Sequence, residues 1–268
     1  MTFLLQHEAL FLNGTYLFFF LLFLLWEHLK PGFPVRVPRL SRWPSNLSLL
    51  VVNRLALQIF STTYLTNLAY MCWKNGWGLL NHFQVSPWLS LVLSFILLDL
   101  AAFLQHRAFH RFPYLWRIHR LHHDDPVVDV TTSARFHPFE ILINTGFGIV
   151  VIYLIGPSFV VVFLVDAIGF LYSLFIHGNL YLPPRFDRVI RLVVNTPAMH
   201  HIHHSRHIDE TESNYTNILT CWDRLGGTYK EKTQLPYESM ELGLEEFDSP
   251  ADLQLPRMLL IPFLKARP

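Results

Sequence analysis

Four stretches of this 268-residue chain carry nine histidines at spacings that let imidazole rings converge. In "HRAFH", His106 and His110 are spaced i,i+4, one helical turn apart on one face. In "HRLHH", His119, His122 and His123 fall within one arc of about 100° on a helix. His177 closes a long apolar run. In "NTPAMHHIHH", Thr196 is a candidate N-cap and Pro197 lies in the first turn, so His200, His203 and His204 share a face while His201 points away. An isolated HxxxH is more often a pair of surface histidines than a metal site. One HxxxH, one His at a helix end and two HxxHH occurring together are different. Closely packed neutral imidazoles need something to bind their lone pairs, and imidazole is the commonest metal-ligating side chain. Nine ligands exceed what one six-coordinate ion can use, so the economical expectation is two metals in one cage. His106, His110, His119, His122, His123, His177, His200, His203 and His204 are therefore the candidate metal-ligating and catalytic residues. All-nitrogen ligation suits Zn, Cu, Fe or Ni. A hydrolytic zinc site uses about three protein ligands, so a set this large suits two redox metals activating O2 better. Two iron ions are expected, although ligand type alone does not exclude zinc as a substitute.

Other polar residues are placed for supporting roles. Asp99 lies seven residues before His106, on nearly the same helical face, where a carboxylate could hold a ligand ring N–H and fix its tautomer. Asp166, eleven residues before His177 with Ser173 between them, reads better as a hydrogen-bonding group between helices. His7, His28 and His82 fall outside the constellation and need only surface or interfacial roles. His201 reads as structural, and His207 lies one turn beyond its cluster.

The elements that must position these residues are apolar. The composition is 51% hydrophobic and only 15% charged, with 23 Phe and a mean hydropathy of +0.30, against about 25% charged residues in a soluble domain. This predicts an all-α integral membrane protein with four to five transmembrane helices and a histidine-rich cytoplasmic helical cap. Five apolar segments approach the roughly 20 residues needed to span a bilayer. They lie at about 9–29, 47–70 (interrupted by Asn53 and Arg54), "WLSLVLSFILLDLAAFLQ", "FEILINTGFGIVVIYLI" and "SFVVVFLVDAIGFLYSLFI". Only Gly156 and Pro157 separate the last two, which predicts a tight helical hairpin. The first segment lacks a basic n-region and a small-residue cleavage site, so it reads as a retained anchor. Lys30, Arg36, Arg39 and Arg42 follow segment one; Arg107, Arg111, Arg117, Arg120 and Arg135 lie between segments three and four; ten more Lys and Arg follow segment five. Positive-inside counting then puts the N-terminus outside and the histidines in the cytoplasm. The membrane is a bacterial inner membrane or the endoplasmic reticulum. On this topology Cys72 and Cys221 lie on opposite sides and do not pair. The net charge of +1 gives no basic surface for nucleic acid. The whole chain, 1–268, reads as one membrane oxygenase domain. Transmembrane helices occupy about 9–105 and 139–177, the cap 106–138 and 178–230, and a C-terminal tail 231–268.

With "HRAFH", "HRLHH" and "HHIHH" in this order, the chain resembles the fatty acid hydroxylase/sterol desaturase superfamily of membrane oxygenases. "RFHPFE", the lone His177 and "SNYTNILTCWDRLGGTY" extend the resemblance over roughly residues 95–230. It implies a di-metal centre in a cytoplasmic cap, O2 as oxidant, an electron donor, and a membrane lipid substrate, fatty acyl or sterol-like, that is hydroxylated or desaturated. His137, in "RFHPFE", recurs in the family outside its ligand motifs and is expected to be a hydrogen-bonding or cavity residue. Asn214, Tyr215, Trp222, Asp223 and Arg224 are expected to fold the C-terminal segment over the cap, and Asn214 or Asp223 could also orient a ligand ring. Two departures stand out: Thr216 where the family usually has Gly, and Gly226 where it usually has Phe.

Electrons must come from elsewhere, because the chain has no GxGxxG, no CxxC and no fused haem domain. A separate ferredoxin or small haem protein with its reductase is implied. Arg107, Arg111, Arg117 and Arg120 could form its docking face, although positive-inside charge explains them equally well. A zinc-dependent membrane hydrolase would use the same histidines with a neighbouring general base, and no HExxH occurs. A metal transporter would need polar groups across the bilayer rather than at one edge. A quinone or haem subunit would have paired histidines deep within spans.

Overall fold

A computed structural model describes residues 2–57 and 64–265, with side chains from residue 14 onward. Among the described residues the chain is helical, with three isolated β-bridges and no strand. The helices are α1 (Thr2–Leu29), α2 (Trp43–Leu57), α3 (Tyr64–Asn75), α4 (Leu79–His82), α5 (Pro87–Arg111), α6 (Pro113–His123), α7 (Pro138–Ile155), α8 (Phe159–His177), α9 (Pro184–Ile190), α10 (Pro197–His203), α11 (Ile208–Thr211), α12 (Cys221–Gly226) and α13 (Leu255–Met258), with short 3-10 turns among and after them.

Three of these, α5, α7 and α8, are long and apolar enough to cross a bilayer; Gly14–Leu29 of α1 is apolar but shorter. The protein is an integral membrane protein on this ground. The predicted second segment does not appear as one span among the described residues. Its sequence is divided between α2 and α3, of 15 and 12 residues, and residues 58–63 lie outside the description. Asn53, where the apolar run is interrupted, donates to the carbonyl of Phe136 at the start of α7.

The hairpin between α7 and α8 forms as expected. Gly156 adopts a left-handed φ of 63° and caps α7. A Cβ there would lie 2.4 Å from the Trp77 carbonyl, so this turn also packs directly on the loop before α4. The far ends of α7 and α8 thus meet the loop between α3 and α4, opposite the histidine-bearing ends. Ala69 and Cys72 of α3 pack on Ile152 of α7 and Val162 of α8, and Phe23 of α1 packs on Leu174 of α8.

A sharp bend joins α5 to α6. Phe112 precedes Pro113, which disfavours helical backbone at Phe112; it is extended, at φ −100° and ψ 120°. Pro113 then starts the next helix, and two histidine motifs fold against one another. The stretch after α6 is pinned by buried ions. Arg42 bonds Asp125 at 2.6 Å and also Asp129, while Arg135 bonds Asp124 at 3.1 Å and the Leu121 carbonyl at 2.9 Å.

The segment after residue 231 is more than a tail. Met258 and Ile261 are fully buried against Leu49 of α2 and Leu121 of α6. Arg117 donates to the Pro262 and Leu264 carbonyls, and Arg120 to those of Ile261 and Leu264. This corrects the docking-face expectation. Arg120 is 4% exposed and tethers the C-terminal segment, so of the four arginines only Arg107 and Arg111 present exposed side chains. Cys72 is buried, Cys221 exposed, and both are free.

Candidate metal centre

The nine histidines converge, and they divide into two groups. His106, His110, His119, His123 and His203 form one, and His122, His177, His200 and His204 the other; within each, one ring nitrogen per residue lies within 4.8 Å of the rest. The division follows helix azimuth. Residues i and i+4 differ by about 40°, whereas i+3 lies on the other side of i by about 60°. In α6 the i,i+4 pair His119 and His123 joins the first group and His122 the second. In α10 the order is exchanged: His200 and His204 join the second group and His203 the first. His106 and His110 of α5 complete one, and His177 at the end of α8 the other. The groups touch, with the His123 and His204 rings stacked 4.5 Å apart.

Several rings have their Nδ1 fixed from outside the groups. His106 Nδ1 donates to the Tyr215 carbonyl at 2.7 Å, His203 Nδ1 to the Ser213 carbonyl at 2.7 Å, and His177 Nδ1 to the Ser173 carbonyl at 2.7 Å. His119 Nδ1 donates to Glu140 Oε1 at 2.7 Å, and His110 Nδ1 lies 3.4 Å from Glu212 Oε1. A carbonyl only accepts, so His106, His203 and His177 carry their neutral proton on Nδ1 and an in-plane lone pair on Nε2. The Nε2 atoms of His106 and His203 nevertheless face one another at 3.0 Å. His177 Nε2 likewise lies 3.0 Å from Nε2 of both His122 and His200. The Nε2 atoms of His110 and His119, and both nitrogens of His123 and His204, are buried without a hydrogen-bond partner among the described residues. Lone pairs crowded together and buried without donors fit a site for metal cations.

Electrostatics favours the neutral form of the rings of His122, His123, His200, His203 and His204. Burial first, then neighbouring imidazoles, holds His122, His123, His200 and His204 well below the ordinary histidine range. Burial and His119 bring His203 to about 3. Neutral imidazole is the ligating form.

A cavity of about 220 Å³ opens on the groups. His106, His119, His122, His177 and His200 line it, as do Phe95, Leu98 and Val165. Phe95 lies eleven residues before His106 on α5, about 16 Å back along the helix, so the cavity runs from the histidines between the apolar helices.

Of the supporting residues, Asp99 is placed otherwise than expected. The Asp99 carboxylate accepts from the Leu219 backbone N–H at 3.1 Å and from Trp222 Nε1 at 2.8 Å, and a carbonyl, not Asp99, takes the His106 proton. Asp99 therefore ties the segment before α12 to α5, because its side chain leaves the helix toward that segment. His137 lies outside both groups. It caps α7, accepting from the Phe139 N–H at 3.1 Å, and its Nε2 donates to the Leu259 carbonyl. Asn214, at a left-handed φ of 52°, donates to the carbonyls of Met199 and Lys230. Asp223 accepts from the backbone N–H groups of Tyr215 and Thr216 at 2.9 Å each. Neither contacts an imidazole; Asp223 instead fixes the residue whose carbonyl orients His106. His201 bonds Tyr237 and the His177 carbonyl, outside both groups. His207 and Asp166 are also outside them. His82 is exposed, whereas the side chain of His7 lies outside the described residues. Among the described residues Glu140 is the one buried carboxylate on a grouped histidine, and only its place in "RFHPFE" marked it.

Comparison with known proteins agrees with this geometry. The family model for fatty acid hydroxylase matches residues 91–228, just over half the chain and a stretch containing all nine histidines. The chain belongs to the fatty acid hydroxylase family. Ornithine lipid hydroxylase OlsE of Rhizobium tropici is 30% identical over 152 residues, 56% of this chain and 45% of that protein. Human alkylglycerol monooxygenase is 28% identical over 198 residues, 73% of this chain and 42% of that one. A Delta(7)-sterol 5(6)-desaturase of Gibberella zeae is 30% identical over 173 residues, covering 62% and 43%. The chain thus spans less than half the length of these relatives. No solved structure matches. Of the two departures from the family pattern, Gly226 lies where an added Cβ would come 3.1 Å from Phe103 Cζ, so Phe103 of α5 fills the space a larger residue would need. Thr216 is fully buried, and its backbone N–H donates to Asp223.

Proposed function

We propose that this fatty acid hydroxylase family member is an O2-dependent di-iron oxygenase that hydroxylates an unactivated C–H bond of a membrane lipid. The observation that carries this is the facing pair of His106 and His203 lone pairs at 3.0 Å, with both Nδ1 protons already committed to carbonyls. In this reading the group of five and the group of four each hold one iron. Bound iron would supply O2 activation using two external electrons, and the balance is R–H + O2 + 2e⁻ + 2H⁺ → R–OH + H2O. The chain's own residues orient the ligands through Glu140 and the carbonyls, and the apolar cavity keeps bulk water from the reacting carbon. A separate ferredoxin or small haem protein with a reductase delivers the electrons. The N-terminus lies outside, and the histidine cap is cytoplasmic. Supporting this, α5 and α8 end, and α7 begins, beside the histidines, while their other ends meet the loop between α3 and α4. The 1–268 chain acts as one domain, its C-terminal segment packed into the cap.

Lipid profiling of cells with and without the gene under 18O2, together with metal analysis of purified protein, tests this. A new labelled hydroxyl and about two irons per chain are expected. Stoichiometric zinc with activity lacking O2 would overturn it in favour of hydrolysis. A new double bond without label would make it a desaturase using the same site, an outcome the sterol desaturase relative keeps in view.

A further inference from the structure

Within the cavity below the histidines, two amides bridge the apolar helices. Gln105 of α5 and Asn144 of α7 both line it, and Gln105 Nε2 donates to Asn144 Oδ1 at 2.8 Å. A primary amide offers an acceptor oxygen and two N–H donors. One bond between two amides leaves the Gln105 oxygen without a donor and the Asn144 nitrogen without an acceptor among the described residues. Exchanging O and N in both amides leaves one oxygen and one nitrogen again, so the conclusion does not depend on their assigned orientation. Of the other polar groups lining the cavity, Asp99 accepts from Leu219 and Trp222 and the Tyr172 hydroxyl donates to the Asn195 carbonyl, whereas Glu140 Oε2 is buried without a partner among the described residues. Gln105 is adjacent to His106, and Asn144 lies one turn beyond Glu140, which holds His119.

We propose that Gln105 and Asn144 bind a hydroxyl group of the lipid substrate. An alcohol both donates and accepts, matching the oxygen and nitrogen left over; ester and ether oxygens only accept. A free carboxylate is disfavoured, because no Lys or Arg lines the cavity and Glu140 does. The substrate class is thus a neutral lipid alcohol, its tail directed toward Phe95 and Leu98. Resting on the oxygenase reading, the oxidised carbon lies within a few bonds of that hydroxyl rather than at mid-chain or at the terminal methyl.

Equilibrium binding of radiolabelled dodecan-1-ol to the purified full-length protein, with dodecane and dodecanoate as competitors, tests this without turnover. Dodecan-1-ol should bind roughly tenfold or more tightly than either competitor, because a polar site rejects a ligand that leaves its groups unpaired. Gln105→Leu and Asn144→Leu should each remove most of that preference while leaving dodecane binding and metal content unchanged. Equal affinity of the unsubstituted protein for dodecane and dodecan-1-ol would overturn the proposal, whatever the variants do. So would an undiminished preference in both variants. Alcohol preference without 18O incorporation into any lipid would instead retain this site and reject the oxygenase reading.

Discussion

His119 and Glu140 meet at 2.7 Å, Nδ1 to Oε1, with both side chains almost completely buried. Twenty-one residues separate them, and they join α6 to α7 at the edge of the five-histidine group. A carboxylate accepting the outer ring proton makes the inner nitrogen a better donor to a metal and holds the ring in place. Glu140→Gln keeps an acceptor but removes the charge. Metal titration should show affinity lower by about 10–100-fold, with a smaller loss for Gln than for Ala. Equal losses in the two variants would mean that packing, not the hydrogen bond, matters at 140.

The two groups predict separable metal losses. His203→Ala should empty the five-histidine group and His122→Ala the four-histidine group, each abolishing turnover and leaving about one metal per chain in place of the two expected. His82→Ala, at an exposed position, should retain full metal and full activity. Full activity in either cage variant would contradict the ligand assignment.

Asp99 should behave as a tether. Asp99→Ala leaves the Leu219 N–H and the Trp222 indole without their acceptor, costing about 1–3 kcal/mol for the unpaired groups. Thermal unfolding should fall accordingly while metal stoichiometry stays unchanged. Loss of metal with unchanged thermal stability would restore Asp99 to a role at the histidines.

Acid should destabilise the metal-free protein over a defined range. His203 falls from 6.5 for a free imidazole to about 3 in the fold, through burial and His119. The unfolded chain therefore binds the extra proton more readily between these values. The stability tied to this ring is fully present above pH 6.5 and is lost progressively as pH falls toward 3. Denaturant unfolding of the apoprotein across this range checks the sign; rising stability on acidification would refute it.

Much of the site was legible because helical spacing is local. The i, i+3, i+4 positions of His119, His122, His123, His200, His203 and His204 required only that their segments be helical, and Thr196 with Pro197 marked where α10 begins. The apolar runs likewise located α5, α7 and α8. What was not legible depends on distant pairing. Asp99 shares a helical face with His106, yet a face spans a wide arc, and its carboxylate turns toward Trp222. The carbonyls of Ser213, Tyr215 and Ser173 carry no side-chain signature at all. Arg117 and Arg120 resembled topology charges because their carbonyl partners lie some 140 residues later. The second apolar run lies partly outside the described residues, with α2 and α3 on either side of residues 58–63.

The seven-residue α10 sends His203 into one nitrogen group and His200 into the other, and α6 divides its histidines in the same way. Neither short helix can settle around one ion without also placing ligands of the neighbouring group. Filling either group should consequently pre-arrange the other, so a variant disabled in one group should hold its remaining ion more weakly than the intact chain does.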